Sequence, residues 1–134
     1  MAEKLHFSLV SPEREMFSGE VDQVDAPGSE GMFGVLPMHA PFMTTLRRGA
    51  VTVFQDGDTK RIFVRGGFAD VTPDGLTILA EEAIELEKVD AADVAQRIQD
   101  FKEDIEDAKD DEAREKAEQQ LAYYEALSAA LNES

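Results

Sequence analysis

The chain of 134 residues contains no cysteine and only two histidines, His6 and His39. Without cysteine it can form no disulfide and offers no thiolate to a metal ion. The two histidines lie far apart in the sequence and belong to no recognisable ligand spacing, so we expect no metal site. Apolar runs of the roughly 18 residues that a membrane-spanning helix needs are also missing, and we expect no direct insertion into a membrane.

Basic residues are scarce: 13 lysines and arginines stand against 29 acidic residues, giving a formal net charge of −16. The excess of acidic over basic residues is the same in residues 1–87 as in residues 88–134. Nucleic acid and anionic lipid repel so acidic a chain, and no basic stripe with interleaved aromatic residues is present. We therefore expect no nucleic-acid partner. The N-terminus lacks a basic region followed by an apolar stretch, so we expect no secretory signal.

Sequence motifs for catalysis are missing as well. There is no Gly-x-Ser-x-Gly elbow, no Walker loop and no dinucleotide fingerprint. Residues 28–34 are rich in glycine, but no lysine follows them and no helix is predicted there, so we expect no phosphate cradle. Carboxylates are so abundant that no pair stands out as an acid and a base. We predict a chain that is not catalytic by itself and holds no cofactor.

Short strands dominate residues 1–87. Lys4 to Val10 alternates, with Leu5, Phe7 and Leu9 on one face, which is typical of a half-buried strand. Further strands are predicted at 14–17, 20–26, 42–46, 50–55, 60–64, 68–72, 76–80 and 83–86. We expect a turn at Ser18-Gly19 and a bulge between Val21 and Val24.

Turn signals connect several of these strands. Asp56-Gly57 and Pro73-Asp74-Gly75 each lie between alternating segments and predict tight hairpins. Gly66-Gly67 indicates a bulge or a place where two backbones approach closely. Many short strands joined by tight turns favour an all-β antiparallel sandwich or flattened barrel, without the βαβ rhythm of a nucleotide-binding sheet.

After Val89 the hydrophobic period changes to that of helices. One apolar stripe comprises Val94, Ile98, Phe101, Ile105 and Ala108, and a second comprises Ala113, Ala117, Leu121, Tyr124, Leu127 and Leu131. Asp90 is a suitable N-cap, and either aspartate of Lys109-Asp110-Asp111 could cap the second helix. The sequence predicts an antiparallel α-helical hairpin in which Ala113 and Ala117 allow close approach. Because both stripes are narrow, we expect the hairpin to be detachable from the sandwich.

The stretch from Pro27 to Pro41 is shaped by three glycines and three prolines. Gly28 and Gly31 bracket Ser29-Glu30, as in a tight exposed turn. Gly34 to Pro37 reads as a short apolar segment that a proline ends, and Pro41 favours extended backbone just before it. We predict one long loop here, built to contact a partner.

Four segments in order resemble a known family. Residues 28–41 (GSEGMFGVLPMHAP), together with 11–20 (SPEREMFSGE), 66–71 (GGFADV) and 77–80 (TILA), strongly resemble the epsilon subunit of bacterial F-type ATP synthases. The resemblance is close over roughly the first two thirds of the chain and extends to the last third only in layout. It implies a sandwich over residues 1–87 that binds the stalk and the c ring, and a hairpin of regulatory type over residues 88–134.

The resemblance implies a non-catalytic rotor subunit that links gamma to the c ring and couples proton transport to rotary ATP synthesis. Its place would be peripheral, at the cytoplasmic face of the bacterial inner membrane. Position in the motif implies contact with the c ring for Ser29, Glu30 and Met32, and contact with gamma for His39, Phe42 and Met43. Many relatives carry an acid where Met32 stands, so contact with the ring is expected to depend less on charge here.

In the same family the hairpin can contact the alpha and beta subunits as a brake, and in some members it binds ATP. The ATP motif, Ile/Leu-Asp-x-x-Arg-Ala, is degenerate here: Asp90 is kept, but Asp93 takes the arginine position and Val94 that of alanine. An anion in place of a cation repels phosphate, so we expect no useful ATP affinity. Arg114 and Lys116 stand among many acids, so inhibition of ATP hydrolysis should be weak or absent.

Two other functions remain open from the residues themselves. A free-standing acidic adaptor could use the same loop and hairpin to bind a different partner. A β-sandwich hydrolase with paired carboxylates is far less favoured, because no positioned pair can be identified. The fold alone would not separate these functions.

Overall fold

A computed structural model describes residues 3–132 of the chain. The chain divides into two compact units, of which the first ends at Glu87 and the second begins at Lys88. The first consists of short strands, and the second of two helices. Each unit is described by itself below.

The first unit contains ten strands, whose lengths run from three to seven residues. They are β1 (Leu5–Val10), β2 (Glu15–Val21), β3 (Gln23–Gly28), β4 (Gly31–Val35), β5 (Phe42–Leu46), β6 (Gly49–Gln55), β7 (Asp58–Val64), β8 (Gly67–Thr72), β9 (Gly75–Ala80) and β10 (Ala83–Glu85). A short 3-10 turn, Leu86–Lys88, follows β10.

The core of this unit is built from one face of each long strand. Leu5, Phe7 and Leu9 of β1 are buried, as their alternation predicts, and Leu76 and Ile78 of β9 lie in the same cluster. Because successive side chains of a strand point to opposite faces, the intervening residues are left outside. Burial of apolar surface from all parts of the sheet holds the unit together.

The strands form one sheet in the order β10-β7-β6-β3-β5-β8-β9-β1-β2, and β4 pairs with β3 outside this path. The sheet curls so far that β2 returns to β6. There, the backbone N–H of Asp22 donates to the carbonyl oxygen of Phe54, and the Gln55 side chain donates to the carbonyl oxygen of Glu20, both over 2.7 Å. The result is a nearly closed barrel, so the predicted flattened sandwich or barrel is confirmed.

Two predicted details of β2 and β3 are wrong. Ser18-Gly19 does not turn the chain, because β2 runs through both residues and Gly19 pairs with Phe7. The chain bends instead at Asp22, so the strand predicted over residues 20–26 is divided there. Val21 and Val24 are both buried on either side of this bend, which accounts for their departure from strict alternation.

The purely antiparallel arrangement is also wrong in one place. β1 and β9 pair in parallel, with Phe7 opposite Leu76 and Leu9 opposite Ile78, while the other pairs are antiparallel. The residues of β1 and β9 are far apart in the sequence. Turn signals between neighbouring strands therefore carried no information about the direction of this pairing.

The predicted loop over residues 27–41 is partly regular structure. Gly31–Val35 forms β4, which pairs with β3 through a two-residue turn at Ser29-Glu30. Gly28 and Gly31 bracket this turn, as predicted. The irregular connection is thus confined to residues 36–41, and the apolar segment ends before Pro37 as expected.

The other local turn predictions are confirmed. Asp56 and Gly57 connect β6 to β7 with φ values of 52° and 86°, the left-handed backbone of a two-residue hairpin. Residues 73–74 connect β8 to β9. At Gly67 the backbones do approach closely, since a Cβ atom there would lie 2.2 Å from the carbonyl oxygen of Leu79.

The second unit consists of α1 (Ala91–Asp107) and α2 (Asp111–Asn132). Asp90 caps α1 as predicted: its Oδ1 accepts hydrogen bonds from the backbone N–H groups of Ala92 and Asp93. Asp110 caps α2, accepting from the backbone N–H of Ala113 over 2.8 Å. The side chain of Ala117 is buried, but that of Ala113 is exposed. Of these two alanines, only Ala117 therefore lies at the helix contact.

The two helices meet through aromatic side chains. The rings of Phe101 and Tyr124 stack with their centroids 5.6 Å apart and their planes inclined by 24°. The guanidinium of Arg97 lies over the ring of Tyr124, 5.7 Å from the ring centroid. These contacts across the unit confirm the predicted helical hairpin.

Candidate interaction surfaces

The tight turn between β3 and β4 projects Ser29 and Glu30 into solvent. Its base is fixed to the neighbouring strand by two backbone hydrogen bonds, from Ser29 N–H to the carbonyl oxygen of Thr45 (3.0 Å) and from Arg47 N–H to that of Pro27 (2.9 Å). Met32 follows on β4 with 57% of its surface exposed. The three residues assigned to the ring therefore lie together, on a turn that is rigid at its base.

Gly28 is required at this turn for reasons of space. A Cβ atom at this position would lie 2.8 Å from the carbonyl oxygen of Gly31 and 2.9 Å from the ring of Phe33. Gly31 itself has a φ of 135°, which side-chain-bearing residues rarely adopt. Local sequence thus dictates the shape of this turn.

The three residues assigned to gamma do not share one surface. Phe42 is half-buried against the core, where its ring meets Phe33 edge-on with centroids 5.3 Å apart. His39 packs on the same ring at 5.3 Å, and its Nδ1 lies 2.8 Å from the carbonyl oxygen of Ala40, so that nitrogen carries the proton. Met43 points the other way and is 62% exposed. His39 and Phe42 form an aromatic cluster, and Met43 lies outside it.

Met43 belongs to a face that the sequence reading missed. On the outside of β5, β8, β9 and β1, cross-strand neighbours place Val10 beside Leu79 and Leu79 beside Phe68. Leu79 is 54% exposed, although an apolar residue of this size is normally covered. We call the outward side chains of Val10, Met43, Phe68 and Leu79 the apolar face.

The apolar face is poor in charge. The other outward side chains of β5, β8 and β9 are those of Thr45, Asp70, Thr72 and Thr77, and of these only Asp70 is charged. In a chain of which 31% is charged, this composition resembles the centre of a protein interface. A signal was present in the sequence: alternation from the buried Leu76 and Ile78 places Leu79 on the opposite side of β9.

The end of the barrel away from the β3–β4 turn is held by an ionic cluster. Lys4 Nζ lies 2.5 Å from Asp22 Oδ1 and 2.7 Å from Asp56 Oδ1. The hydrogen bond from Lys4 lowers the pKa of Asp22, and the bonds to Asp22 and Asp56 raise the pKa of Lys4. A second ion pair joins Lys60 of β7 to the buried Glu85 of β10. These pairs fasten strands and are not directed at a ligand.

The start of α1 is occupied by its own carboxylates. Asp90 fills the N-terminal hydrogen-bonding positions of the helix, and Asp93 lies in the first turn beside it. Asp93 stands where the family motif has its arginine, so a phosphate at this terminus would meet a negative charge in place of a positive one. Within residues 3–132, moreover, no group of His, Asp or Glu side chains is arranged to hold a metal ion.

A groove of about 490 Å³ lies between α1 and α2. Arg97 and Lys116 line it together with Asp104, and Tyr124 forms part of its floor. Arg97 already lies over the Tyr124 ring, and the groove is open to solvent on one side.

None of the described helices is long and apolar enough to cross a membrane.

A barrel with a rigid exposed turn and a charge-poor apolar face, followed by a helical hairpin, defines a protein whose work is done by binding other proteins. Comparison with known proteins identifies the assembly. A family model described as the beta-sandwich domain of the ATP synthase delta/epsilon chain matches residues 4–86, and one described as the C-terminal domain of the ATP synthase epsilon chain matches residues 90–134.

The chain is 57% identical to the ATP synthase epsilon chain of Maricaulis maris over 96% of this chain and 97% of that protein. It is 55% identical to the epsilon chain of Hyphomonas neptunium, with 98% of each chain covered. Among solved structures, a chain of the Euglena gracilis mitochondrial ATP synthase assembly of OSCP, F1 and c ring superposes with a TM-score of 0.83 at 25% identity, covering 96% of this chain and 82% of that one.

The chain therefore belongs to the epsilon chain family of bacterial ATP synthases. It is a subunit of the central stalk, the rotor of the enzyme, as the resemblance in the sequence implied. The free-standing adaptor is not favoured by any of these comparisons.

Proposed function

We propose that this subunit joins two rotor parts through two separate surfaces of its barrel. The β3–β4 turn, with Ser29, Glu30 and Met32, contacts the c ring. The apolar face, whose exposed side chains include Met43 and Leu79, contacts gamma. By holding both parts the subunit makes them turn together, which couples proton transport to ATP synthesis.

The turn suits a contact that must transmit torque. Its base is fixed by the hydrogen bonds of Ser29 and Arg47 to the adjacent strands, so a sideways force on the tip is passed to the barrel. Glu30 offers a carboxylate, and Met32 adds an uncharged, adaptable side chain that tolerates polar loops of varied shape. Contact with the ring through Met32 would depend on packing more than on charge.

The apolar face suits a permanent contact. Leu79 and Met43 each expose more than half of their surface, which favours covering by a partner. The threonines around them can hydrogen-bond across an interface without the desolvation cost of charged groups. The aromatic cluster of His39 and Phe42 supports β5 from behind, so these two residues act on gamma by positioning the strand or through the exposed edge of His39.

For the hairpin we propose no useful ATP affinity and weak or absent inhibition of ATP hydrolysis. Asp93, in the first turn of α1, places a negative charge where the family motif has its arginine. The acidic residues of both helices also oppose approach to an acidic partner segment. Any contact of the hairpin with the alpha and beta subunits would then be brief. The subunit's location in this proposal is peripheral, at the cytoplasmic face of the inner membrane.

The observation that carries the proposal is the pairing of a rigid turn and an apolar face on one barrel, and a pull-down with three variants tests it. Tagged full-length chain is used to recover partners from the host's membranes in mild detergent. Met43→Glu with Leu79→Glu should lose gamma, while the unchanged turn should still recover the ring. Ser29→Ala with Glu30→Ala and Met32→Ala should keep gamma and lose the ring.

Thr59→Glu, an exposed change on β7 outside both surfaces, is the control and should keep all partners. Circular dichroism of each variant checks that the barrel is folded. If the Met43 and Leu79 double variant still recovered gamma, the assignment of the apolar face would be wrong. Recovery of the ring by the turn variant at the level of the unmodified chain would contradict the assignment of the turn.

A further inference from the structure

Five connections of the barrel lie at one of its ends. Val10 is opposite Leu79, Gly28 is opposite Leu46, and Gly67 is opposite both Leu46 and Ala80. Gly49 and Ala83 are both opposite Val64. These pairings bring together residues 11–14, 29–30, 47–48, 65–66 and 81–82, which we call the arginine end.

The arginine end differs in charge from the rest of the unit. It contains four of the five arginines that precede residue 88, namely Arg14, Arg47, Arg48 and Arg65, balanced by four glutamates, Glu13, Glu30, Glu81 and Glu82. The connections at the opposite end, within the described residues, contain Asp22, Asp56 and Asp74 and no arginine. Lys4 lies there too, but two of these aspartates already bind it. The barrel is therefore electrically polar, neutral at one end and acidic at the other.

The arginines stand on fixed turns. The backbone of Arg47 is bound to Pro27, that of Arg65 to Glu82, and the carbonyl oxygen of Arg14 accepts from Ser11. The side chains of Arg14, Arg47 and Arg65 are exposed, and Arg65 also pairs with Glu82 over 3.0 Å. Positive charge is thus held at this end in a set position, with guanidinium groups that suit phosphate geometry.

We propose that the arginine end faces the phosphate headgroups of the anionic membrane around the c ring and orients the subunit as it docks. The inference rests on the proposed function, since the turn assigned to the ring, Ser29-Glu30, lies at this same end. A chain with a net charge of −16 is repelled by an anionic membrane in most orientations. The neutral, arginine-bearing end gives the orientation with least repulsion, and its arginines attract phosphate within about 8 Å, the Debye length in physiological salt.

Two variants with the same change in net charge separate local from global electrostatics. Glu13→Lys adds positive charge to the arginine end, and Asp74→Lys adds it to the opposite end; both residues are exposed turn residues. Association of the complete chain, bound to gamma, is timed on c rings in two kinds of vesicle. One contains phosphatidylcholine alone, and the other also contains phosphatidylglycerol.

In the anionic vesicles Glu13→Lys should speed association and Asp74→Lys should leave it nearly unchanged. Arg14→Gln and Arg47→Gln should each slow it, by up to about fivefold for a charge close to an anionic surface. In phosphatidylcholine alone all four variants should match the unmodified chain, and raised salt should remove the differences. The measured quantity is the rate constant of association. A variant that is partly misfolded would instead show a smaller fraction of chain that binds at all.

Two results would overturn the inference. Equal acceleration by Glu13→Lys and Asp74→Lys would mean that net charge alone matters. Equal slowing of the arginine variants in both kinds of vesicle would assign the arginines to carboxylates of the ring protein and not to lipid. Failure of the unmodified chain to bind rings in either vesicle would contradict the proposed function itself, which is a distinct outcome.

Discussion

Gly67 passes so close to Leu79 that a Cβ atom on the glycine would lie 2.2 Å from the leucine carbonyl oxygen. The φ of Gly67 is also 142°, in a region that other residues rarely adopt. The same contact joins β8 to β9 immediately beneath the exposed side chain of Leu79. The geometry of the apolar face therefore depends on a residue that has no side chain.

Gly67→Ala should destabilise the barrel by roughly 2–5 kcal/mol, because the methyl group must displace backbone and the φ is strained. Gly57→Ala is the matched control: its φ is also positive, but nothing lies within 4 Å of an added Cβ atom. That change should cost about 1–2 kcal/mol. Urea denaturation of both variants measures the difference, and equal losses would contradict the role assigned to the close approach.

The Lys4–Asp22–Asp56 cluster should make the closure of the barrel sensitive to acid. Because the folded pKa of Asp22 is lowered by Lys4, its contribution to stability is present above the unfolded pKa of about 3.9 and is lost as pH falls through the folded value. The raised pKa of Lys4 has the opposite sign, so its contribution is present below the unfolded pKa and is lost as pH rises through the folded one.

Asp22→Asn should therefore lower the urea midpoint at neutral pH. The difference in urea midpoint between this variant and the unmodified chain should become smaller below about pH 4. Asp74→Asn, in the turn between β8 and β9, serves as the control and should leave the midpoint close to its original value. A difference that stayed constant down to pH 2 would show that Asp22 acts through its backbone position and not through its charge.

The contact of Tyr124 with Phe101 and Arg97 should hold the hairpin closed. Tyr124→Ala should destabilise the hairpin by roughly 2–4 kcal/mol through lost stacking and packing, while Tyr124→Phe keeps the ring and should cost much less. Hydrogen exchange resolved by residue is the measurement, with faster exchange expected in α1 and α2 and unchanged exchange in β1 and β9.

The same exchange experiment on the unmodified chain tests whether the hairpin is a separate, less stable unit, as its narrow stripes predict. Amides of α1 and α2 should exchange well before those of the barrel core around Phe7 and Ile78. Protection of the helices equal to that of the core would show that the two units unfold together, and the prediction of a detachable hairpin would then be wrong.

ATP binding offers a gain-of-function prediction. The unmodified chain should give no measurable heat with ATP, because Asp93 places a carboxylate in the first turn of α1 where the motif has its arginine. Asp93→Arg with Val94→Ala restores the arginine and the alanine of the family motif and should produce detectable binding by calorimetry. Asp93→Asn, which removes the charge without supplying a cation, is the control. Binding of ATP by the unmodified chain would contradict the assigned effect of Asp93.

Some features could be predicted because their causes are local. An Asp-Gly pair between two strands favours left-handed backbone, which Asp56-Gly57 adopts, and the side chain of Asp90 caps the helix that follows it directly. Alternation placed Leu5, Phe7 and Leu9 in the core. The same rule could have placed Phe42 and Met43 on opposite sides of β5 and Leu79 on the outside of β9, so part of the missed face was readable.

Ser18-Gly19 shows the limit of such local rules. A serine followed by glycine is typical of turns, but here β1 pairs along its whole length with β2 and keeps both residues extended. The chain bends only at Asp22, where Lys4 and the backbone N–H of Asp56 bind its carboxylate. Partners from distant parts of the chain decided which of the two sites became the bend.

The sequence by itself determined most of the strands and tight turns, the helix caps and, through four segments in order, the family. These depend on backbone preferences and on hydrophobic period, which act over a few residues. Only the tertiary structure decided that β1 runs parallel to β9, that Met43 joins Leu79 on one face while Phe42 turns inward, and that four arginines gather at one end. Each of these results from pairing between distant strands, and the free energy of that pairing is spread over the whole core, where no short segment records it.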